Sequence, residues 1–385
     1  MSGRRTIRTV LVTVLALGSA CTNGAEPSGS PSPAPSGPAT GSTSGPTPAQ
    51  DVRVTAGGEV AGLPARYTLY PRAGAVEAVA AFGTWVVWSE VSAPASTAPP
   101  GTRVPDRVVA FDTRTQRTVV VPRHAPGAIP NLSTGTGDWL IDREITPRPP
   151  AECGGDSPTG CFRWRIWAVD LASGREHVLA ESTRSAPQPD NPIPVAGGDA
   201  VAWQEVDAEG AVRTVVDRPA GGARRVAATG PASSQLSIDA GTLYLDDGRT
   251  DPPRLLRVPV AGGQVAPVVT GVKFYRPRAA SGEVTLVAGI PTEGMRVLLA
   301  PATDLAKRRE VFRSNEVYNA WPLGGGAALV FDFLGLHRVT AGAAPRHLPV
   351  EVASPGDVAV SGSTLALATG DASGAVTIRV LDLAR

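Results

Sequence analysis

Carboxylates recur along the chain in step with a turn signal. Glu90, Glu144, Glu205 and Asp332 each fall seven residues after a glycine (Gly83, Gly137, Gly198 and Gly325), while Asp246 and Asp247 follow Gly241 at five and six. Brought to one level around an axis, such acids would attract a cation or a cationic group. Facing carboxylates also suit a glycan lyase or hydrolase, in which two acids divide proton donation and attack. Strand ends are polar in any protein, so an ordinary surface role stands beside both readings.

Other chemistry is thin. His124, His177, His337 and His347 lie in separate segments, no two with metal-ligand spacing on one strand or helix, and they read as surface residues. No Gly-x-Ser-x-Gly elbow, phosphate loop or dinucleotide fingerprint occurs. No catalytic residue, metal ligand or cofactor is therefore assigned. Six of the tryptophans, Trp85, Trp88, Trp139, Trp164, Trp167 and Trp203, fall between residues 85 and 203. Most read as core between blades, and for Trp164, close after Cys161, an exposed anchor stands beside the favoured core reading.

The N-terminus carries an address. Arg4, Arg5 and Arg8 precede the apolar run Val10 to Gly18, then Ser19, Ala20 and Cys21, which is the order of an export signal. The run is too short to span a bilayer. Leu17-Gly18-Ser19-Ala20-Cys21 resembles a bacterial lipobox, although Gly18 stands where that pattern has an aliphatic residue. The resemblance implies that Cys21 takes a diacylglycerol and becomes the first mature residue. An ordinary signal peptide with an incidental Cys is the alternative, and the protein would then be secreted.

Residues 1–20 are thus a signal peptide. From Thr22 to Gln50, 26 of 29 residues are Pro, Gly, Ser, Thr or Ala, a composition that cannot bury a core. Residues 21–65 are expected to be a disordered linker and residues 66–385 the folded domain. With Cys21 acylated, Cys153 and Cys161 remain, flanking a Gly-rich loop, and in an oxidising setting they read as a disulfide. The formal charge of +1 becomes −2 once the three signal arginines are removed, and no basic stripe remains to hold a phosphate backbone. Nucleic acid is not an expected partner.

The elements that must position these residues are strands. Beyond residue 66, apolar runs of four to seven residues recur between Gly, Pro, Asp and Asn, and none sustains a 3.6 period. Seven units begin with a tight turn and an apolar strand, as in Ala81-Phe-Gly-Thr-Trp-Val-Val-Trp-Ser-Glu90 and Ala196-Gly-Gly-Asp-Ala-Val-Ala-Trp-Gln-Glu205. Their glycines 83, 137, 198, 241, 282, 325 and 362 are spaced 54, 61, 43, 41, 43 and 37 apart, a period near 42 with early insertions. Four short strands per unit predict an all-β propeller of seven four-stranded blades, with six or eight as the neighbouring counts. The last unit stops one strand short, and Tyr67 to Tyr70 is expected to fill that place and close the ring.

Ile166-Trp-Ala-Val-Asp-Leu-Ala-Ser-Gly174, and less fully Val109-Ala-Phe-Asp-Thr113 and Val380-Leu-Asp-Leu383, resemble the bacterial TolB-like propellers. There a third strand ends in an Asp that bonds the amides of the following turn. The resemblance implies an envelope protein that binds other proteins.

In a propeller, the loops from second to third strand and the links from one blade to the next open on one face. Residues 91–106, 147–161 and 182–194 all belong to that face on adjacent units, and Pro stiffens them. The expected function is that of a non-enzymatic, lipid-anchored extracytoplasmic module whose rim binds an envelope protein or cell-wall component. The alternative is an envelope glycan lyase or hydrolase using Glu90, Glu144, Glu205, Asp247 and Asp332 at the mouth.

Overall fold

A computed structural model describes residues 46–60, 63–72, 75–91, 105–121, 123–124, 128–147, 162–182, 192–207, 209–230, 235–247, 250, 253–270, 274–290, 294–350, 352, 355–370 and 375–383. Seven antiparallel sheets stand in a ring, each meandering outward from its first strand, and the first strands pack on those of neighbouring blades. Blade one is Ala75–Phe82, Trp85–Val91, Arg107–Asp112 and Thr118–Val121. Blade two is Ile129–Thr136, Trp139–Pro147, Phe162–Asp170 and Glu176–Glu181, and blade three is Val195–Gly197, Ala200–Val206, Val212–Asp217 and Arg225–Thr229. Blade four is Leu236–Asp239, Thr242–Asp247, Arg254–Pro259 and Ala266–Thr270, and blade five is Phe274–Ala280, Glu283–Ile290, Gly294–Pro301 and Arg309–Ser314. Blade six is Val317–Gly324, Ala327–Asp332, Gly335–Thr340 and Arg346–Leu348.

Blade seven takes Val358–Ser361, Thr364–Gly370 and Val376–Asp382 from the C-terminus and its fourth strand, Leu63–Tyr70, from the N-terminus. The expected closure is therefore observed, with Val380 opposite Tyr67 and Ile378 opposite Leu69.

Folded structure also begins earlier than the expected boundary at residue 66. Thr47–Pro48 adds a fifth strand to the outer edge of blade one, and Arg53–Ala56 adds one outside Leu63–Tyr70 in blade seven. Between them Ala49 and Val52 are buried, and Asp51 bonds Arg107 at 2.9 Å. A Pro/Thr-rich composition hid this segment because its ordering comes from docking on a preformed edge, not from its own propensity.

The apolar runs are explained by burial on both faces of each sheet. Seven clusters fill the seven seams: Val86 and Trp88 face the seam with blade seven, whereas Trp85 and Val87, one residue out of phase, face blade two. Each large side chain so buried stabilises the ring by roughly 1.5–3 kcal/mol. The hairpins between first and second strands are two-residue turns. In blades one, two, three and seven a glycine leads (Gly83, Gly137, Gly198 and Gly362, all at positive φ), but in blades four and five Ala240 (φ 45°) and Ser281 (φ 55°) lead and Gly241 and Gly282 follow. In blades four, five and six both central residues are at positive φ, which defines the type I′ turn; in the other four only the leading glycine is.

The Asp that ends third strands does cap its turn. Asp170 Oδ1 accepts from the amides of Ala172 (3.0 Å) and Ser173 (3.1 Å), and Asp112 accepts from Arg114 N (3.0 Å). Burial works against the Asp170 charge, but the Ser173 hydroxyl and these amides outweigh it and hold its pKa below the usual value.

Candidate functional site

The three long segments leave one face side by side. The chain exits blade one's second strand at Val91 and re-enters at Arg107, and it does the same in blade two between Pro147 and Phe162. Glu181, ending blade two, and Val195, opening blade three, bracket the third. Residues 92–104, 148–161 and 183–191 themselves lie outside the described residues, as do Cys21, Cys153 and Cys161. On the same face Ile193 is 50% exposed, and Phe333 and Leu334, in the second-to-third turn of blade six, are 49% and 63% exposed.

The acids occupy one structural position. Counted from the first residue of the two-residue turn, Ala240 in blade four, Asp247 falls at seven like Glu90, Glu144, Glu205 and Asp332. The same place holds Ala288 in blade five and Thr369 in blade seven. The cross-strand residue is Arg in five blades: Arg107 faces Glu90, Arg165 faces Glu144, Arg213 faces Glu205, Arg254 faces Asp247 and Arg296 faces Ala288.

Each acid is engaged close by. Glu90 is 1% exposed and accepts from Trp88 Nε1 (2.7 Å) and Arg107 Nε (2.6 Å). Burial alone would depress the Arg107 pKa, but bonds to Asp51 and Glu90 raise it. Asp247 binds Arg254 Nη2 at 2.8 Å, while Glu205 takes Trp203 Nε1 at 3.2 Å and Arg224 at 2.5 Å. Asp332 accepts from Ser314 Oγ (2.8 Å) and the Leu334 amide (2.8 Å), with His337 Nε2 at 3.0 Å. The negative charge offered to a cationic ligand by the sequence is thus largely met inside the protein.

Blade two holds a denser polar cluster. His124 Nδ1 lies 2.8 Å from Glu144 Oε1, its Nε2 lies 3.3 Å from Glu176 Oε2, and its ring stacks on Trp167 at 3.8 Å. Burial would lower the His124 pKa, yet Glu144, Glu176 and Asp142 together raise it. Beside it Asp142 is pushed up to about 7 by burial and by Glu144, against the 2.8 Å bond it receives from Ser133. Arg143, pushed down to about 10 by burial, donates to the Pro192 carbonyl at 2.8 Å and so ties blade two to the link that follows it. Among the described residues no group of three His, Cys, Asp or Glu is placed to hold a metal ion.

Two expectations are corrected. Trp164 is not an exposed anchor: it is 8% exposed and packs with Ile141, Ile166 and Trp203, because it alternates onto the seam face of its strand. His124 and His337 are not surface residues, with side chains 2% and 9% exposed, since each is drawn in by a buried carboxylate. Arg276 and Arg278, on the first strand of blade five, carry no motif in the sequence. Only their Arg-Pro-Arg spacing on a strand nearest the axis would have marked them.

No protein-family model and no curated protein sequence matches the chain. Among solved structures it is similar to an oligogalacturonate lyase in complex with manganese, at 11% identity over 86% of this chain and 98% of that one, with a TM-score of 0.56. It is similar to an acylaminoacyl peptidase in complex with a chloromethyl ketone, at 10% identity over 79% of this chain and 52% of that one, with a TM-score of 0.52. The chain thus spans about half the length of that peptidase. TolB from Acinetobacter baumannii also matches, at 10% identity over 72% of this chain and 59% of that one, with a TM-score of 0.40. At these identities the likeness is one of fold, and the class it defines is the seven-bladed β-propeller.

Proposed function

We propose that this protein is a lipid-anchored, extracytoplasmic propeller that binds an envelope protein or cell-wall component through the face over blades one to three. The observation that carries this reading is the departure of three long, Pro-containing segments from one face on adjacent blades. Semi-rigid loops lose less entropy on binding, and Ile193 adds exposed apolar surface beside them. A binding role is favoured over a glycan lyase or hydrolase because Glu90, Asp247 and Asp332 are each nearly buried and held by Arg, His, Trp or Ser.

The test has two arms. Radiolabelled palmitate is expected in the wild type and not in Cys21→Ala, and equal labelling refutes the anchor. Envelope crosslinking is then compared between the full protein and a variant in which residues 92–104 and 148–161 are replaced by short Gly-Ser linkers. Crosslinked bands lost in a variant of unchanged melting temperature support the rim, and an unchanged set of bands overturns it.

A further inference from the structure

The innermost strand of blade five departs from the regularity of the ring. Opposite its neighbour Glu283–Ile290, Tyr275 pairs with Val287 but Arg278 pairs with Thr285, so two residues, Arg276 and Pro277, stand where the partner offers one. This is a β-bulge. Pro277 supplies no N–H and tolerates the unpaired position. Arg276 sits at φ 54°, in the left-handed region that favours glycine, and it also precedes a proline, which favours extended backbone. Backbone held there against such preferences concentrates at functional positions.

The side chains add a second anomaly. Arg107, Arg213, Arg224, Arg254 and Arg296 each pair with a carboxylate. Among the described residues Arg276 donates to the carbonyl of Tyr318, on the first strand of blade six, and to no carboxylate. Arg278, partly exposed, makes no hydrogen bond or ion pair with any described residue. The group acting on its charge is Arg276 itself, a like charge, and burial lowers the pKa of both. Two guanidinium groups two residues apart, with no described carboxylate paired to them, are costly unless something anionic joins them.

The strand enters from the face of the long loops; Arg276, its third residue, lies nearer that mouth, and Arg278, opposite Thr285, lies deeper along the axis. Ala279 N donates to Ser237 Oγ of blade four at 2.8 Å, and Thr285 Oγ1, on the second strand opposite Arg278, donates to the Ala320 carbonyl of blade six at 2.8 Å, so blade five is tied to both neighbours here. We propose that Arg276 and Arg278 form an anion site at the axial seam of blades five and six, taking a carboxylate or phosphate group that enters from the loop face. Planar forks of N–H donors match either oxyanion bidentately.

The site goes beyond the rim reading and stands or falls without it. Its test is isothermal titration of the full chain at low ionic strength with citrate and, separately, inorganic phosphate. Saturable binding of at least one, with Kd near or below about 1 mM, is expected from a few charge-assisted hydrogen bonds. The arm that saturates tells carboxylate from phosphate. Arg276→Gln/Arg278→Gln should weaken it roughly ten-fold or more, and Arg278→Gln alone, which removes no bond to a described residue, should weaken it in the same direction. Arg257→Gln, an exposed arginine of blade four, should not. No saturable binding to the wild type, or equal affinity in the Arg278→Gln variant, overturns the site.

Discussion

Glu90 Oε2 lies 2.6 Å from Arg107 Nε, directly across the ladder between the second and third strands of blade one. Asp247 and Arg254 repeat the relation in blade four at 2.8 Å. In blades two and three the same Arg turns elsewhere, Arg165 to Glu181 and Arg213 to Asp207, and the acid is taken up by His124 or Arg224. One repeated cross-strand pair has thus diverged blade by blade into different local networks. It works as a clasp where the second strand reaches the loop face.

This clasp has a measurable strength. Glu90 is 1% and Arg107 14% exposed on their side chains, so removing Arg107 strands a poorly solvated carboxylate. Arg107→Met, which leaves Glu90 only the Trp88 donor, should lower stability by about 3 kcal/mol in urea unfolding; Glu90→Ala, which leaves Arg107 its bond to Asp51, should cost less, and the double variant should lose less than the two single variants summed. Additive losses would show the pair uncoupled.

The hairpins give a test of opposite sign. Ala240 is exposed at φ 45°, so Ala240→Gly should raise stability by roughly 0.5–1 kcal/mol. Gly83, at φ 53°, faces the neighbouring blade, and a Cβ there would stand 2.4 Å from the Gly137 carbonyl oxygen. Gly83→Ala should therefore cost about 2 kcal/mol or more. Thermal or urea unfolding of both variants reads the difference.

Ring closure predicts two different truncations. Starting the chain at Pro46 removes no described strand, and the melting temperature should not change. Starting at Pro71 removes Leu63–Tyr70 and leaves the Val376–Asp382 edge unpaired. An open edge invites pairing with another chain, so oligomers on size-exclusion chromatography and a broadened unfolding transition are expected. A monomer with wild-type cooperativity would contradict a closing role.

The blade-two cluster predicts a pH slope. Asp142 has a folded pKa near 7, above its unfolded value, so the native state holds a proton that the unfolded chain releases between about pH 4 and 7. Stability from this group is present at low pH and falls as pH rises, by up to about 1.4 kcal/mol per unit. His124, also raised, adds loss in the same direction above its unfolded pKa near 6.5. Asp142→Asn should therefore stabilise more at pH 8 than at pH 5, and a denaturation series across that range checks it.

Much of the ring was legible because its signals are local. The turn glycines, the doubly buried apolar strands and the terminal Asp of the third strand each act within a few residues, and the missing last strand pointed to Tyr67–Tyr70 by count alone. The acids at a fixed offset were legible too, apart from the one-residue shift that Ala240 introduces in blade four.

Their partners were not legible. Whether Glu90 meets solvent or Arg107, whether Trp164 lies in a seam, and whether Thr47–Ala56 docks on an edge all depend on contacts between segments far apart in sequence. Periodicity says which residues share a face, but burial and charge compensation belong to the neighbours that closure supplies. The sequence by itself determined the repeat and the strand order. Only the tertiary structure decided that the acids are clasped, and that Arg276 and Arg278 stand together near the axis with no described carboxylate beside them, because a strand's environment is set by the blades on either side of it.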